Sequence, residues 1–535
     1  MTNRKLVTYL QQLLPWESFL KSMKKFGFLT LANATEFIEE ENTENKNKHG
    51  FGMIINNLIH SGPLRDPSML YLEPYMIFRP FTEDQLTIII QNSRNYKIPI
   101  SFCSGKTGLS GSYSNYGILV DLVNLHSLKN PITLKIENEM VIVEQGVQVS
   151  DLIKEIPYKT NNEFIFPIQP SSAYKLPVRV GGIISTDASG ITSGKLGSTK
   201  DWIKEIRIMD PEGIITEITP LDPLYSKIVG GNGFYGIVLT ATIKLYRPDQ
   251  NLRRAIIYGT ETNQAFQSLQ KILDKKIFPL ISEFVASLEF LPGKFKELSN
   301  HSLSSQFIRW GILIKGENES VQQFIDIMQK HSDCSTMNLT EAEFQTYLKE
   351  RTKFGLLIQT EDNEEYLGFP GFEDILSEPK YLPEIIRTIN NILKEHGFHP
   401  LIFNYGHINF RRGKGLLLHI RLPVPIKFFY KENTEKSKII CETIYEVINT
   451  LNLQFNIRYK AEHSGGPFKI WLDPNTRNQL RKDVEKGLAF INPHLIIFDH
   501  LIREKYNISS EKELKVLKDK LKRDLFISAM TLYLI

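Results

Sequence analysis

Three histidines and one glutamate are the residues of this chain best suited to acid–base or metal chemistry. Glu462 and His463 are neighbours in KAEHSGGPFK, a stretch whose glycines read as a loop. On a loop, adjacent side chains can both reach one cavity, where a carboxylate can bind a metal. An imidazole, with an ordinary pKa of about 6.5, can then take a proton at neutral pH. A polar turn capped by glycines is the other reading of the same residues. His407, in NYGHIN, and His419, in GLLLHIRLP, stand on strand-like runs. A histidine among aliphatic residues, as at His419, is either a core residue with its polar atoms satisfied or a metal ligand.

Two glycine-rich stretches are the second chemical signal. Residues 176–201, LPVRVGGIISTDASGITSGKLGSTKD, hold Gly181 and Gly182 followed by small and hydroxyl residues, then Gly190, Gly194 and Gly197. Each interior glycine costs a helix or strand about 0.5–1 kcal/mol against alanine, so this reads as backbone lying close to a flat or anionic ligand. A glycine-serine linker is the alternative. Upstream, ISFCSGKTGLSGSYSNYGILVDL places Gly105, Gly108 and Gly111 between two strand-like runs, 98–102 and 118–122. A strand–glycine turn–strand clusters backbone N–H groups in a nest suited to a diphosphate. The pattern is neither a strand–GxGxxG–helix unit nor a P-loop, because the first glycine of GxxxxGK[ST] is missing.

Together these stretches resemble flavoproteins of the vanillyl-alcohol oxidase type, with a PCMH-type FAD-binding domain. They are most similar to the D-lactate, glycolate and D-2-hydroxyglutarate dehydrogenase branch. Five motifs run in family order: PxxxxGGGTGLSGG at Pro99 to Ser112, VExGV at Val143 to Val147, FPxxPSS at Phe166 to Ser172, GGxxxTxAxG at Gly181 to Gly190, and GxxGxxGIVT within Gly230 to Thr240. Ser104, Lys106 and Ser112 stand where the family has glycine. The resemblance implies non-covalent FAD held by Ser104, Gly105, Lys106, Thr107, Gly108, Leu109, Pro170, Ser171, Gly181, Gly182, Ser185, Thr186, Ser189, Gly190, Gly233, Gly236 and Ile237. It also implies oxidation of a 2-hydroxy acid, the flavin taking hydride while His463 takes the hydroxyl proton. Arg351 in TYLKERTK and Lys380 in SEPKYLPE fall at the family's substrate-anchoring positions, and either cation can hold a carboxylate. His407 and Glu462 match two ligands of a zinc or manganese site. Lys414 stands where the second histidine belongs, which leaves His419 as the substitute ligand or the metal lost. The alternatives are a metal-independent flavin enzyme acting on another alcohol or a sugar, and a catalytically degenerate FAD-binding protein.

The elements that must position these groups fall into four stretches: an N-terminal extension (1–75), the FAD-binding domain (76–250), an α+β substrate or cap domain (251–470), and a C-terminal segment (471–535) returning to the FAD domain and ending in a helical tail. The expected fold class is α+β. Helical spacing with a break at Pro15 marks the N-terminus. Thr82, followed by Glu83 and Asp84, signals a helix start, and 134–145 alternates as one strand. Beyond 251 helical spans alternate with β-like runs, the look of a domain laid beside the cofactor unit.

The 535 residues suffice for several domains and a large core, and a 41% hydrophobic, 23% charged composition is that of a globular protein. A net charge of +4 is too mild to point to nucleic acid. Cys103, Cys334 and Cys441 lie far apart, against a disulfide framework and for a reducing, cytoplasmic setting. There is no apolar signal stretch at the start and no run long enough for a membrane span. The expected partners are a small-molecule substrate and a separate electron acceptor. The apolar end, 526–535, needs cover from its own chain, from a second subunit of a homodimer, or from a membrane face.

Overall fold

Pro15 divides the N-terminal apolar spacing into two short helices, α1 (Asn3–Gln12) and α2 (Trp16–Lys25). The computed structural model describes residues 3–26, 29–31, 53–55, 72, 74–108, 111–287, 293–301, 308–351, 357–359, 365–369, 375–398, 403–409, 415–420, 422–425, 434–455, 458–459 and 474–506. Trp16 stacks on Tyr75 with ring centroids 4.0 Å apart, and Phe19 and Met23 are fully buried against the first sheet.

That sheet has five strands in the order β1 (Leu29–Leu31), β2 (Met53–Ile55), β3 (Met76–Arg79), β5 (Ile118–Asp121), β4 (Ile100–Cys103). β3, β5 and β4 are mutually parallel, which requires a crossover. Helix α3 (Glu83–Asn95) supplies it, started as expected by Thr82, whose side chain accepts the Gln85 N–H at 3.3 Å. β4 lies at the sheet edge, and there Ile100 N–H donates to the Ile491 carbonyl at 3.1 Å. The second sheet is antiparallel, in the order β6 (Ile132–Lys135), β7 (Met140–Glu144), β10 (Ile237–Lys244), β8 (Ile203–Met209), β9 (Ile215–Ile218). Here one expectation is corrected. Residues 134–145 do not form one strand, because the chain turns through Ile136–Asn138 with Glu139 at φ +55, and two strands pair as a hairpin. In the β8–β9 turn Asp210 Oδ1 accepts the N–H groups of Glu212 and Ile214, and Gly213 takes φ +81.

Between β7 and β8 run helix α4 (Val149–Lys159) and the second glycine-rich stretch. The latter is not all loop: Val180–Thr186 forms a short helix, α5, through both glycines. Gly181 is accommodated because it packs on Gln145, where an added methyl would sit 3.0 Å from Gln145 Cβ. Asp187 closes α5 in the left-handed region, and its carboxylate accepts from Ser198 Oγ and Lys200 N–H.

The third sheet is antiparallel with eight strands, ordered β14 (Cys334–Asn338), β11 (Leu252–Gly259), β13 (Trp310–Glu317), β12 (Ile281–Ser287), β18 (Phe403–Asn409), β19 (Gly415–Ile420), β17 (Ile375–Ser377), β21 (Arg458–Tyr459). A small sheet joins β15 (Leu357–Gln359), β16 (Glu365–Phe369) and β20 (Leu422–Pro425). One face of the large sheet buries Phe284, Trp310, Ile312 and Ile314 under four helices: α6 (Thr262–Asp274), α7 (Asn318–His331), α9 (Leu382–Glu395) and α10 (Thr434–Phe455). The opposite face, with Ile256, Val285 and Leu313, packs on α8 (Glu341–Arg351) and on Ile191 and Leu196 from the glycine-rich stretch. Glu283, His407 and Arg351 lie on this second side. Helices α11 (Pro474–Glu485) and α12 (Pro493–Tyr506) follow, and their Leu480, Leu495, Ile497 and Phe498 join the core cluster that holds Phe284 and Trp310. Lys227 pairs with Asp483 at 2.9 Å, and Phe490 packs on Phe102 with rings 4.8 Å apart. The sequence-expected helix at 509–525 and the apolar end lie outside the described residues.

Candidate cofactor cleft and active site

The two glycine-rich stretches meet across a cleft with about 1200 Å³ of empty space, counting its mouth. Of the expected cofactor residues, Ser104, Gly105, Lys106, Thr107, Gly108, Pro170, Ser171, Gly181, Gly182, Ser185, Thr186, Gly233, Gly236 and Ile237 line it. Leu109 is outside the described residues. Ser189 and Gly190 are not on the wall: Ser189 is buried, and Gly190, at φ +107, presses on Gln169, whose carbonyl oxygen would lie 2.3 Å from an added methyl. Gly105 has a similar duty, since a methyl there would fall 2.1 Å from the Pro177 carbonyl oxygen. It keeps the two stretches in contact. At Gly182 and Gly233, by contrast, an added methyl meets nothing within 4 Å, so both leave room in the cleft itself.

Polar groups complete the wall. The Ser104 hydroxyl and Arg179 Nε are buried with no protein partner, although Arg179 Nη1 donates to the Gly146 carbonyl. Burial holds the Arg179 pKa below its ordinary value. Buried donors without partners beside an open cleft fit a polar ligand that supplies acceptors. Beneath the first loop Asp121 is 1% exposed and pairs through Oδ2 with Lys106 Nζ at 2.8 Å and Arg79 Nε at 3.2 Å. Burial, then the charge of Asp121, pushes the Cys103 thiol well above its ordinary pKa, so the one cysteine on the wall stays protonated and a poor nucleophile. Glu144, the acid of the VExGV motif, uses its carboxylate to accept the N–H groups of Ser127 and Leu128 and fixes that turn. Its neighbour Gln145 lines the cleft instead.

His407 also lines the cleft. On the sheet it lies directly opposite Glu283, and His407 Nδ1 hydrogen-bonds the Glu283 carboxylate. The other oxygen of Glu283 is 2.7 Å from Arg351 Nε, and Arg351 Nη1 donates to Ser171 Oγ at 2.8 Å. Glu283 is fully buried and Arg351 is 2% exposed. The His419 ring lies edge-on to His407 with centroids 5.1 Å apart, as the hairpin register of Tyr405 with His419 requires. An acid, a base and a cation are thus held against the cofactor wall through Ser171. Lys380 lies elsewhere. It is exposed, pairs with Glu378 at 2.7 Å and sits over the Tyr381 ring, on a turn packed against α6. Glu462 and His463 fall outside the described residues. Among the described residues, no group of three His, Cys, Asp or Glu side chains is placed to hold a metal ion.

Sequence reading missed Glu283. Its signal was a lone acid within the apolar run IFPLISEFVAS, where a carboxylate must find partners. Arg179 and Gln145 carried no comparable signal.

This fold and cleft define a flavoprotein with a PCMH-type FAD-binding domain. The family model described as an FAD binding domain matches residues 74–219. The chain thus carries an FAD binding domain in that stretch. It is 21% identical to a D-lactate dehydrogenase of Anaerostipes hadrus over 296 residues, 52% of this chain and 60% of that protein. To a D-2-hydroxyglutarate dehydrogenase of Stutzerimonas stutzeri it is 22% identical over 423 residues, 74% and 83% of the two chains. The first of these matches spans less than two thirds of the relative's length. Among solved structures, an alkyldihydroxyacetonephosphate synthase superposes with a TM-score of 0.56 at 13% identity, covering 79% of this chain and 76% of that one. That likeness is one of fold. Among the described residues, no helix is long and apolar enough to cross a membrane.

Proposed function

We propose that the chain is an FAD-dependent oxidoreductase that oxidises the hydroxyl-bearing carbon of a 2-hydroxy acid. The observation that carries this reading is the Glu283–His407–Arg351 cluster at the cofactor cleft, bonded to Ser171 of its wall. The residues fit the cofactor: two glycines leave its space open, and Ser104 and Arg179 offer buried donors. FAD, when bound, supplies the two-electron acceptor. The protein's part is binding, orientation and proton handling. With Nδ1–H donated to Glu283, His407 keeps Nε2 as an acceptor, which can align the substrate hydroxyl. His463 takes the proton in this reading. Arg351 is the cation that an acid group would meet there, although Glu283 already engages the same arginine. Relatives named as D-lactate and D-2-hydroxyglutarate dehydrogenases and a glycolate oxidase subunit support the substrate class.

A second reading keeps the flavin and changes the substrate to another alcohol. The pairing of buried Arg351 with Glu283 favours it, because a carboxylate anchor is then already satisfied inside the protein. Flavin absorbance under anaerobic conditions separates the two. Bleaching with D-lactate, glycolate or D-2-hydroxyglutarate supports the first reading. Bleaching only with a non-acidic alcohol moves the assignment to the second, and a colourless purified protein overturns both.

A further inference from the structure

We infer that Lys106 is a diphosphate-binding residue, a cation built into the glycine loop of this chain that makes its FAD affinity depend on charge. The inference rests on the flavin assignment and goes beyond it, because the motif this loop resembles has glycine at that position.

The backbone explains how lysine came to be tolerated there. Lys106 takes φ +54, the left-handed region that glycine enters freely and other residues enter at a cost. The chain keeps the glycine-like turn and carries the strain with a charged side chain. Lys106 is one of the lining residues of the cleft, between Gly105 and Thr107, and its partly exposed side chain holds its ammonium 2.8 Å from Asp121 Oδ2. Asp121 cannot follow a ligand, because it is 1% exposed and its Oδ1 accepts the Val123 N–H at the end of β5. It also carries Arg79 on the same oxygen. Lys106 and Arg79 therefore meet on one buried carboxylate. Arg179, also on the wall, adds a third cation, on which Asp121 and Asp151 both act.

A diphosphate over this loop meets the N–H nest with a positive charge already held in place. An ammonium tethered to an immobile carboxylate loses little freedom when an anion arrives. Charge-assisted contacts are the stronger class of hydrogen bond, and in a partly buried site salt screens them incompletely. The isoalloxazine ring gains nothing from this arrangement; only the phosphates do.

The test measures equilibrium FAD binding to flavin-stripped protein by fluorescence quenching across a salt series. Riboflavin, which has no phosphate, is the companion ligand. Lys106→Gly takes the same turn without strain and leaves Asp121 with Arg79, so circular dichroism should show it folded. Lys106→Gln, one atom shorter, keeps a polar N–H donor but no charge. Both variants should bind FAD about tenfold more weakly. Both should show a shallower salt dependence and unchanged riboflavin binding, and Lys106→Arg should restore FAD affinity. Equal FAD affinity and salt slope in wild type and both variants would overturn the inference and leave the flavin assignment standing. An equal loss for FAD and riboflavin would also overturn it, because the residue would then act through loop shape. Wild-type protein that binds no FAD at all would overturn the cofactor assignment as well.

Discussion

At the scale of single residues, the site turns on a buried carboxylate shared by a histidine and an arginine. Breaking one side of such a pair leaves an uncompensated charge and costs about 3–5 kcal/mol, whereas replacing the whole pair by apolar groups of like size is often neutral. Glu283→Gln should therefore lower the urea unfolding free energy by about 3 kcal/mol. The double variant Glu283→Leu/Arg351→Met should recover most of that stability while remaining inactive. Activity retained in the double variant would remove the cluster from the mechanism. The sequence made His407, His419 and Arg351 legible as residue types. Their arrangement was not, because Glu283 meets His407 through a strand pairing that joins positions 124 apart in the chain. Lys380 had the right chemistry in the wrong place, since a charge near a helix start is as readily solvated as functional.

At the scale of elements, α5 is the informative case. Seven residues containing two adjacent glycines form a helix because Gly181 must let Gln145 approach and Gly182 must leave the cleft open. Helix propensity here yields to a ligand's space. Gly182→Ala should consequently stabilise the flavin-free protein by about 0.5–1 kcal/mol, the usual gain of alanine over glycine in a helix. It should also lower FAD occupancy after purification. A melting curve of stripped protein and the 450 nm absorbance of the purified one read the two effects separately; full occupancy would take α5 out of the binding site. The glycines announced a ligand in the sequence, and local signals at Thr82 and Pro15 announced their elements. The 132–144 hairpin did not show itself, because Glu139 enters the left-handed region without the glycine or asparagine that usually marks such a turn.

At the scale of the whole molecule, residues far apart in the chain meet behind the first glycine loop. His494 is buried behind the first glycine loop with Nε2 3.4 Å from the Ser112 carbonyl, and burial holds its pKa down at about 4. An unfolded chain binds that proton near pH 6.5, so between about 6.5 and 4 the unfolded state holds more protons than the native one. Stability should be full above pH 6.5 and fall by roughly 3 kcal/mol towards pH 4 from this group alone. His494→Gln should flatten that part of the urea profile. An unchanged slope would show that His494 is not the group responsible. The edge of β4 is covered by the backbone around Ile491, nearly four hundred residues later in the chain. At ribosomal speeds of about 5–20 residues per second, that edge waits roughly 20–80 s for its cover. Until then a parallel strand offers its unpaired amides to any neighbouring nascent chain. The dinucleotide unit, though written early in the message, is among the last parts of the molecule to be finished.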